Sequence, residues 1–327
     1  MPSQPAASLP PAALAPKLPE ITRRPIPSGR GGSPFRSKEN TAAYLFLAPW
    51  FIGLFAITIV PVLASLYLSF TDYDILSAPQ WIGLDNYDKL FNRDRRFDNA
   101  VGVTIRYVGL SVPLILVFSL TIAVMLNRGL SGLGIYRSLF YIPSLIGASV
   151  GIGILWREVF GERGVFNAFL ELFGVTGIGW ITNPYSALNV IIALNVWTFG
   201  ASMVIFLAAL RQIPQSYYEA ASIDGATAWQ RFWRITLPLL TPVIFFNMVL
   251  LTIYSFQSFT QAFVVSRGTG GPIDSTLLYT LYLYRRAFVN LDMGYASAMA
   301  WVLLLAIAAM TALIFWTARY WVFYGDR

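Results

Sequence analysis

Residues 211–241 read RQIPQSYYEAASIDGATAWQRFWRITLPLLT, preceded by a charge-free run at 185–210 and running into another at 235–266. Between two such runs a polar stretch of this length has to carry its own local structure. Ser216-x-x-Glu219 fits a capping box, the Ser hydroxyl accepting from the Glu219 backbone while the Glu reaches back. That predicts a short helix from about residue 217 to 223. Asp224–Gly225 is a turn dipeptide. Thr227-x-x-Gln230 then opens a second short helix, to about 235, which Pro238 and Pro242 are expected to break before the next apolar run. Two short helices joined at a glycine make a bent knob, and Ala220, Ala221 and Ala226 are small enough to let a partner approach closely.

Outward from this knob the chain is apolar. Of its 327 residues, 56% are hydrophobic and 12% charged, with no cysteine and no histidine. A soluble domain averages roughly 45–50% apolar and 25% charged, so an ordinary water-facing surface cannot be covered. Disulfides, thiolate zinc sites and cysteine catalysis are excluded, as are histidine bases and ligands. Charge-free runs occupy 40–71, 107–126, 138–156, 185–210, 235–266 and 295–318. A bilayer core needs about 20 apolar residues in a helix. Six spans are therefore predicted, near 44–69, 103–127, 136–156, 186–210, 242–265 and 295–318, an all-α integral membrane fold. Trp81, Trp156, Trp180, Tyr320 and Trp321 fall near span ends, as interfacial aromatics do. Segments 166–174 and 275–288 fit either surface helices or ordered loops.

Residues 1–40 differ from the rest. They hold nine of the 19 prolines and six Lys/Arg, so they are expected to be a disordered basic tail, distinct from a membrane domain at 41–327. Residues 12–15 are too short an apolar core for a signal peptide. With the N-terminus inside, the inner segments carry 13 Lys/Arg against 9 outside, and 5 acids against 11. The positive excess then sets topology, with both termini cytoplasmic, and does not signal nucleic acid. Contact of the tail with anionic lipid is a second use for the same charges.

Spans 1 and 3 to 6 hold no Asp, Glu, Lys or Arg in their interiors, unlike an ion-coupled carrier, which buries ionisable groups on its pathway. Arg106, near the start of span 2, is placed to snorkel to the headgroups. There is no phosphate-binding G-x-x-x-x-G-K-[ST] loop, and the only lysines are Lys17, Lys38 and Lys89. Any ATP must be hydrolysed elsewhere. What the spans do carry is neutral and polar: Asn189, Asn195, Thr198 and Ser202 in span 4, and Asn247, Thr252, Ser255, Gln257, Ser258, Thr260 and Gln261 in span 5, beside Trp197, Phe199, Tyr254, Phe256 and Phe259. Amides and hydroxyls among aromatics suit a hydroxyl-rich neutral ligand. They equally serve as hydrogen-bonding glue between packed membrane helices.

Glu219-Ala220-Ala221, Asp224-Gly225-Ala226 and Ile235-x-Leu237-Pro238 together resemble the EAA loop of permease subunits in bacterial ABC importers. Trp81-Ile82-Gly83-Leu84-Asp85-Asn86-Tyr87, Thr104 with Tyr107, Phe140-Tyr141-Ile142-Pro143, Gly270-Gly271-Pro272 with Ser275-Thr276, and 293–298 (MGYASA) resemble elements of carbohydrate importers of the maltose and glycerol-phosphate type, on the side of the first of their two permeases. The resemblance covers roughly residues 42–325. It implies a six-span type I ABC importer permease in the bacterial inner membrane, without the extra spans and large outer domain of the maltose permease.

The resemblance also implies roles. Glu219, Ala220, Ala221, Asp224, Gly225 and Ala226 become the surface that docks on an ATPase, with Glu219 the ion-pairing residue. Asn195, Trp197, Thr198, Ser202, Phe256, Gln257 and Thr260 become the substrate pathway. Gln257 and Thr260 stand where the maltose permease has asparagines, implying a different sugar. The implied partners are a second permease, two ATPase subunits carrying ATP and Mg, an extracytoplasmic solute-binding protein and a carbohydrate. The chain itself is expected to bind no cofactor or metal and to catalyse nothing. The competing readings are the same machinery importing glycerol phosphate or a polyol, and a six-span channel or secondary carrier.

Overall fold

A computed structural model describes residues 38–127 and 132–323. Most of the basic tail lies outside the described residues, as do Arg128 and Arg327. The chain divides into two units, residues 1–59 and 60–327. The described part of the first is the helix Lys38–Gly53 and the π-helical turn Leu54–Ile59, which buries none of its residues. Span 1 is the apolar helical stretch Tyr44–Leu68, shared between the units.

Among its described residues the second unit's regular elements are helices apart from one two-residue antiparallel pairing, Thr71–Asp72 with Gln80–Trp81. Span 2 is the helix Arg95–Leu126, beginning eight residues before the predicted start. Asp94 explains the difference. Its carboxylate accepts from the Arg96 and Phe97 amides at 3.0 and 3.2 Å and caps the helix within the charged region that precedes the apolar run. Span 6 is Met293–Trp321, capped in the same way by Asp292, which accepts from the Tyr295 amide.

Two predicted spans are not straight helices. Span 3 is the pair Leu133–Ile146 and Val150–Val159, bent by 100°, and span 4 is Ala187–Trp197 and Gly200–Leu210, bent by 42°. Inside a membrane, backbone groups freed by such breaks need internal partners. Ser144 donates to the Thr198 carbonyl (2.9 Å) and accepts from the Ala201 amide (3.0 Å), while Ser119 donates to the Phe199 carbonyl (3.1 Å). At the span-3 bend Ser149 caps the second helix by accepting from Ile152.

Span 5 corrects the expectation for Pro238 and Pro242. Helix runs on from Ala228–Arg231 through the π turn Phe232–Thr236 into Leu237–Phe256. Pro238 falls in the first turn of the last of these, where its missing N–H is tolerated, and the wider π turn before it takes up the mismatch. The break comes later, at 257–259, followed by Thr260–Val265. Both surface segments form helix: Val165–Glu171, and Tyr279–Tyr284 with the π turn Arg285–Val289.

Two apolar clusters hold the spans together. One packs span 2 against span 4, the 256–265 region, Tyr282 and the start of span 6, with Tyr107, Tyr282 and Tyr295 fully buried. The other joins Ile115, Ala123 and Leu126 to Phe206, Leu210 and Leu240, nearer the 211–227 loop. On the face opposite that loop, Asp94 Oδ2 also accepts from the Tyr295 hydroxyl (2.6 Å) and Arg286 Nη2 (2.8 Å), and from the Tyr282 hydroxyl. Burial opposes ionisation of this carboxyl, but the bonds from Tyr282, Tyr295 and Arg286 outweigh it and bring the pKa down to about 2.

Candidate functional site: a neutral cavity and a docking loop

The breaks in spans 3, 4 and 5 meet around one cavity of about 350 Å³. Its polar wall comes from Ser144, Asn195, Thr198, Ser202, Asn247, Ser255, Ser258, Thr260 and Gln261. None of the residues lining it is charged. A helix break is what makes such a wall, because it turns side chains of one sequence run into a common space and frees carbonyls that hydroxyls then bind. Thr198 Oγ1, for example, donates to the Asn195 carbonyl at 2.7 Å.

Of the predicted pathway residues, Asn195, Thr198, Ser202 and Thr260 line this cavity. Trp197, Phe256 and Gln257 do not. The Trp197 ring packs near Trp156, with centroids 5.9 Å apart. Phe256 is 8% exposed and belongs to the larger apolar cluster. Gln257 is exposed, at the end of Leu237–Phe256.

Ser144 and Ala148 line the cavity and were missed, their small side chains giving no signal within an apolar run. The role of Tyr107 was missed as well. Its buried hydroxyl lies 3.1 Å from Ser258 Oγ and 3.4 Å from Gln261 Oε1, bracing two cavity residues from behind. Thr280 Oγ1 donates to the Ser258 carbonyl. Thr104 Oγ1 accepts from the Tyr279 amide at 2.8 Å, tying span 2 to the surface helix over the same break.

The loop forms the bent knob. Its first helix is Gln215–Ile223, but the Ser216/Glu219 capping box is absent, because the helix starts one residue before Ser216, with Pro214 as its cap. The second box is present: Thr227 Oγ1 accepts from the Gln230 amide and Gln230 Oε1 from the Thr227 amide. Gly225 makes the turn at φ +75°, where a side chain would be strained. Ala220, Ala221 and Asp224 border a cleft of about 500 Å³ with Tyr217, Arg234 and Phe323. Glu219 and Gly225 are exposed and Ala226 is partly so. Among the described residues Glu219 makes no ion pair. The knob is tied to span 5, with the Tyr218 hydroxyl 2.9 Å from Thr236 Oγ1 and Arg231 donating to Ser222 Oγ at 2.8 Å.

Bent spans around a neutral cavity, with a structured loop at one end continuous with a cavity-lining helix, define a polytopic transport subunit. Residues 81–322 match the family model described as "Binding-protein-dependent transport system inner membrane component", and the chain belongs to that family. It is 54% identical to the probable ABC transporter permease protein YesP of Bacillus subtilis (strain 168), over 89% of this chain and 94% of that one. It is 35% identical to the lactose transport system permease protein LacF of Rhizobium radiobacter, over 84% and 93%. Its fold is that of a chain in a bacterial alginate ABC transporter in complex with a pentasaccharide-bound periplasmic protein, with TM-score 0.74 at 23% identity, covering 86% and 95%. The protein is a transport component of the inner membrane, not an enzyme.

Proposed function

We propose that this chain is one of two permeases in an ATP-driven sugar importer, and that the cavity between the bends of spans 3, 4 and 5 is its half of the sugar path. The observation that carries this is the wall itself, with amides and hydroxyls from three spans and no charge among the residues lining it. A neutral polyhydroxylated solute exchanges hydrogen bonds with such a wall, whereas a phosphate ester finds no cation there. Family membership and the lactose permease among its relatives support the sugar reading. The motifs read from the sequence favour the maltose and glycerol-phosphate subgroup. The 215–226 knob docks on an ATPase subunit that supplies ATP and Mg chemistry, and both termini lie in the cytoplasm. Rigid movement of the knob tilts the Ala228–Phe256 helix, because Tyr218 and Arg231 fasten the two together.

The test is reconstituted transport with the second permease, the ATPase and the binding protein. Asn195→Leu is expected to cut sugar uptake at least tenfold while assembly and basal ATPase stay intact. Glu219→Ala is expected to abolish uptake and its stimulation of ATPase. Unchanged uptake in both variants refutes the assignment, and disassembly caused by Asn195→Leu alone marks that residue as packing.

A further inference from the structure

We infer that a second pocket, on the face opposite the 211–227 loop, is a carboxylate-binding site that docks an acidic group on the rim of the solute-binding protein; this rests on the importer reading above. The pocket measures about 520 Å³ and is bordered by Arg157, Glu158, Thr182, Arg267 and Thr269. It lies at the far end of the packed pair Val150–Val159 and Thr260–Val265, whose near end borders the sugar cavity through Ala148, Thr260 and Gln261.

The Arg157 side chain is only 26% exposed, and its Nε is buried without a hydrogen-bond partner. Its one ion pair is a 3.5 Å contact with Glu158, the next residue, whose own side chain is 74% exposed. Arg267 is exposed, makes no ion pair among the described residues and sits at φ +54°. The loop carrying Arg267 is held in place: Gly268 O accepts from Arg285 (2.8 Å) and Ser266 Oγ from the Gly270 amide (3.1 Å).

Four other cations of this face are paired with acids, while Arg95, Arg163 and Arg285 make no ion pair among the described residues but do not border this pocket. Lys89 meets Asp292, Arg93 meets Asp85 and Asp88, Arg96 meets Asp274, and Arg286 meets Asp94. Arg157 and Arg267 instead converge on one open space without such a partner. A half-buried guanidinium with an unmet donor gains most from a carboxylate, which binds it through charge-assisted hydrogen bonds. The carboxylate belongs to the docking protein and not to the solute, because no residue lining the neighbouring cavity is positively charged to receive an anion moving inward.

The experiment uses the whole importer in lipid nanodiscs with its binding protein, comparing wild type with Arg157→Gln, Arg267→Gln and the double variant. The double variant is expected to weaken binding-protein affinity about tenfold or more and to flatten the salt dependence of docking. At saturating binding protein its sugar uptake returns to the wild-type rate. Unchanged affinity and salt dependence overturn the proposal. So does uptake that stays low at saturation, which assigns the pocket to the solute, and so does loss of the variant subunit from the complex, which assigns it to subunit packing. A wild-type complex that shows no binding-protein-dependent uptake overturns the importer reading along with this one, whereas normal wild-type uptake with indifferent variants overturns only the pocket.

Discussion

Asp94 shows how one side chain organises a face of the protein. Its Oδ1 caps span 2 while its Oδ2 collects Tyr282, Tyr295 and Arg286 from segments 188 to 201 residues away. The folded pKa, about 2, lies below the ordinary carboxylate value of 3.8. Its contribution to stability is therefore complete above the unfolded value and is lost as pH falls through the folded one. Melting of the purified subunit should be indifferent to this group at neutral pH and weaken between about pH 4 and pH 2. Asp94→Asn should lower stability by about 2 kcal/mol at neutral pH, the scale of a charge-assisted hydrogen bond, and remove that part of the acid sensitivity. Wild-type melting of the Asp94→Asn variant at both pH values removes the clasp from the stability account. Nothing in the sequence marks Asp94 apart from its acidic neighbours, since its partners come from other segments. The same limit applies at the cavity. Polar identity within an apolar run picked out Asn195, Thr198, Ser202 and Thr260, which line the cavity, but not the packing of Phe256 in the larger apolar cluster or the exposure of Gln257, which depend on contacts between segments.

Elements were legible where they follow from length and apolarity, and less so where they bend. Runs of uncharged residues located spans 1, 2 and 6, but the bends of spans 3 and 4 depend on contacts between them. At those bends the backbones nearly touch. A Cβ on Gly200 would lie 2.2 Å from the Phe140 carbonyl oxygen, and one on Gly147 would lie 2.2 Å from Thr198 Cγ2. Small residues permit such approaches between membrane helices. Gly200→Ala should thus part spans 3 and 4 by pushing against backbone that cannot yield, and it should also disturb the Ser144 bonds to Thr198 and Ala201. The expected cost is about 2–3 kcal/mol, typical of overpacking, seen as a lower melting temperature and reduced yield of assembled complex. As a control, Gly151→Ala in the same region meets no atom within 4 Å and should be neutral. Equal melting of the two variants denies the close packing at the bends.

For the whole molecule, the exposure of apolar surface states what is missing. No more than 33% of the apolar window of any uninterrupted span is buried. Lipid covers part of the remainder, and in the importer proposed above a second permease closes the side of the cavity that spans 2 to 5 of this chain leave open. Access to that cavity should then alternate with the state of the ATPase. Because the chain has no cysteine, single thiols placed in it report this without other labelled positions on the same chain. Ser202→Cys and Thr260→Cys place a thiol at two points of the cavity wall, and Trp229→Cys, on an exposed position near the knob, serves as reference. In sealed proteoliposomes, with the binding-protein side outward, an impermeant thiol reagent added outside should label residues 202 and 260 slowly in the resting complex. Trapping the ATPase closed with binding protein docked should raise both rates about tenfold, the size of change expected when a minor conformer becomes dominant. Position 229 should remain unlabelled from outside in either state. Labelling of 202 and 260 at one rate in both states would describe a static pore, and the alternating-access mechanism would then have to be abandoned for this chain.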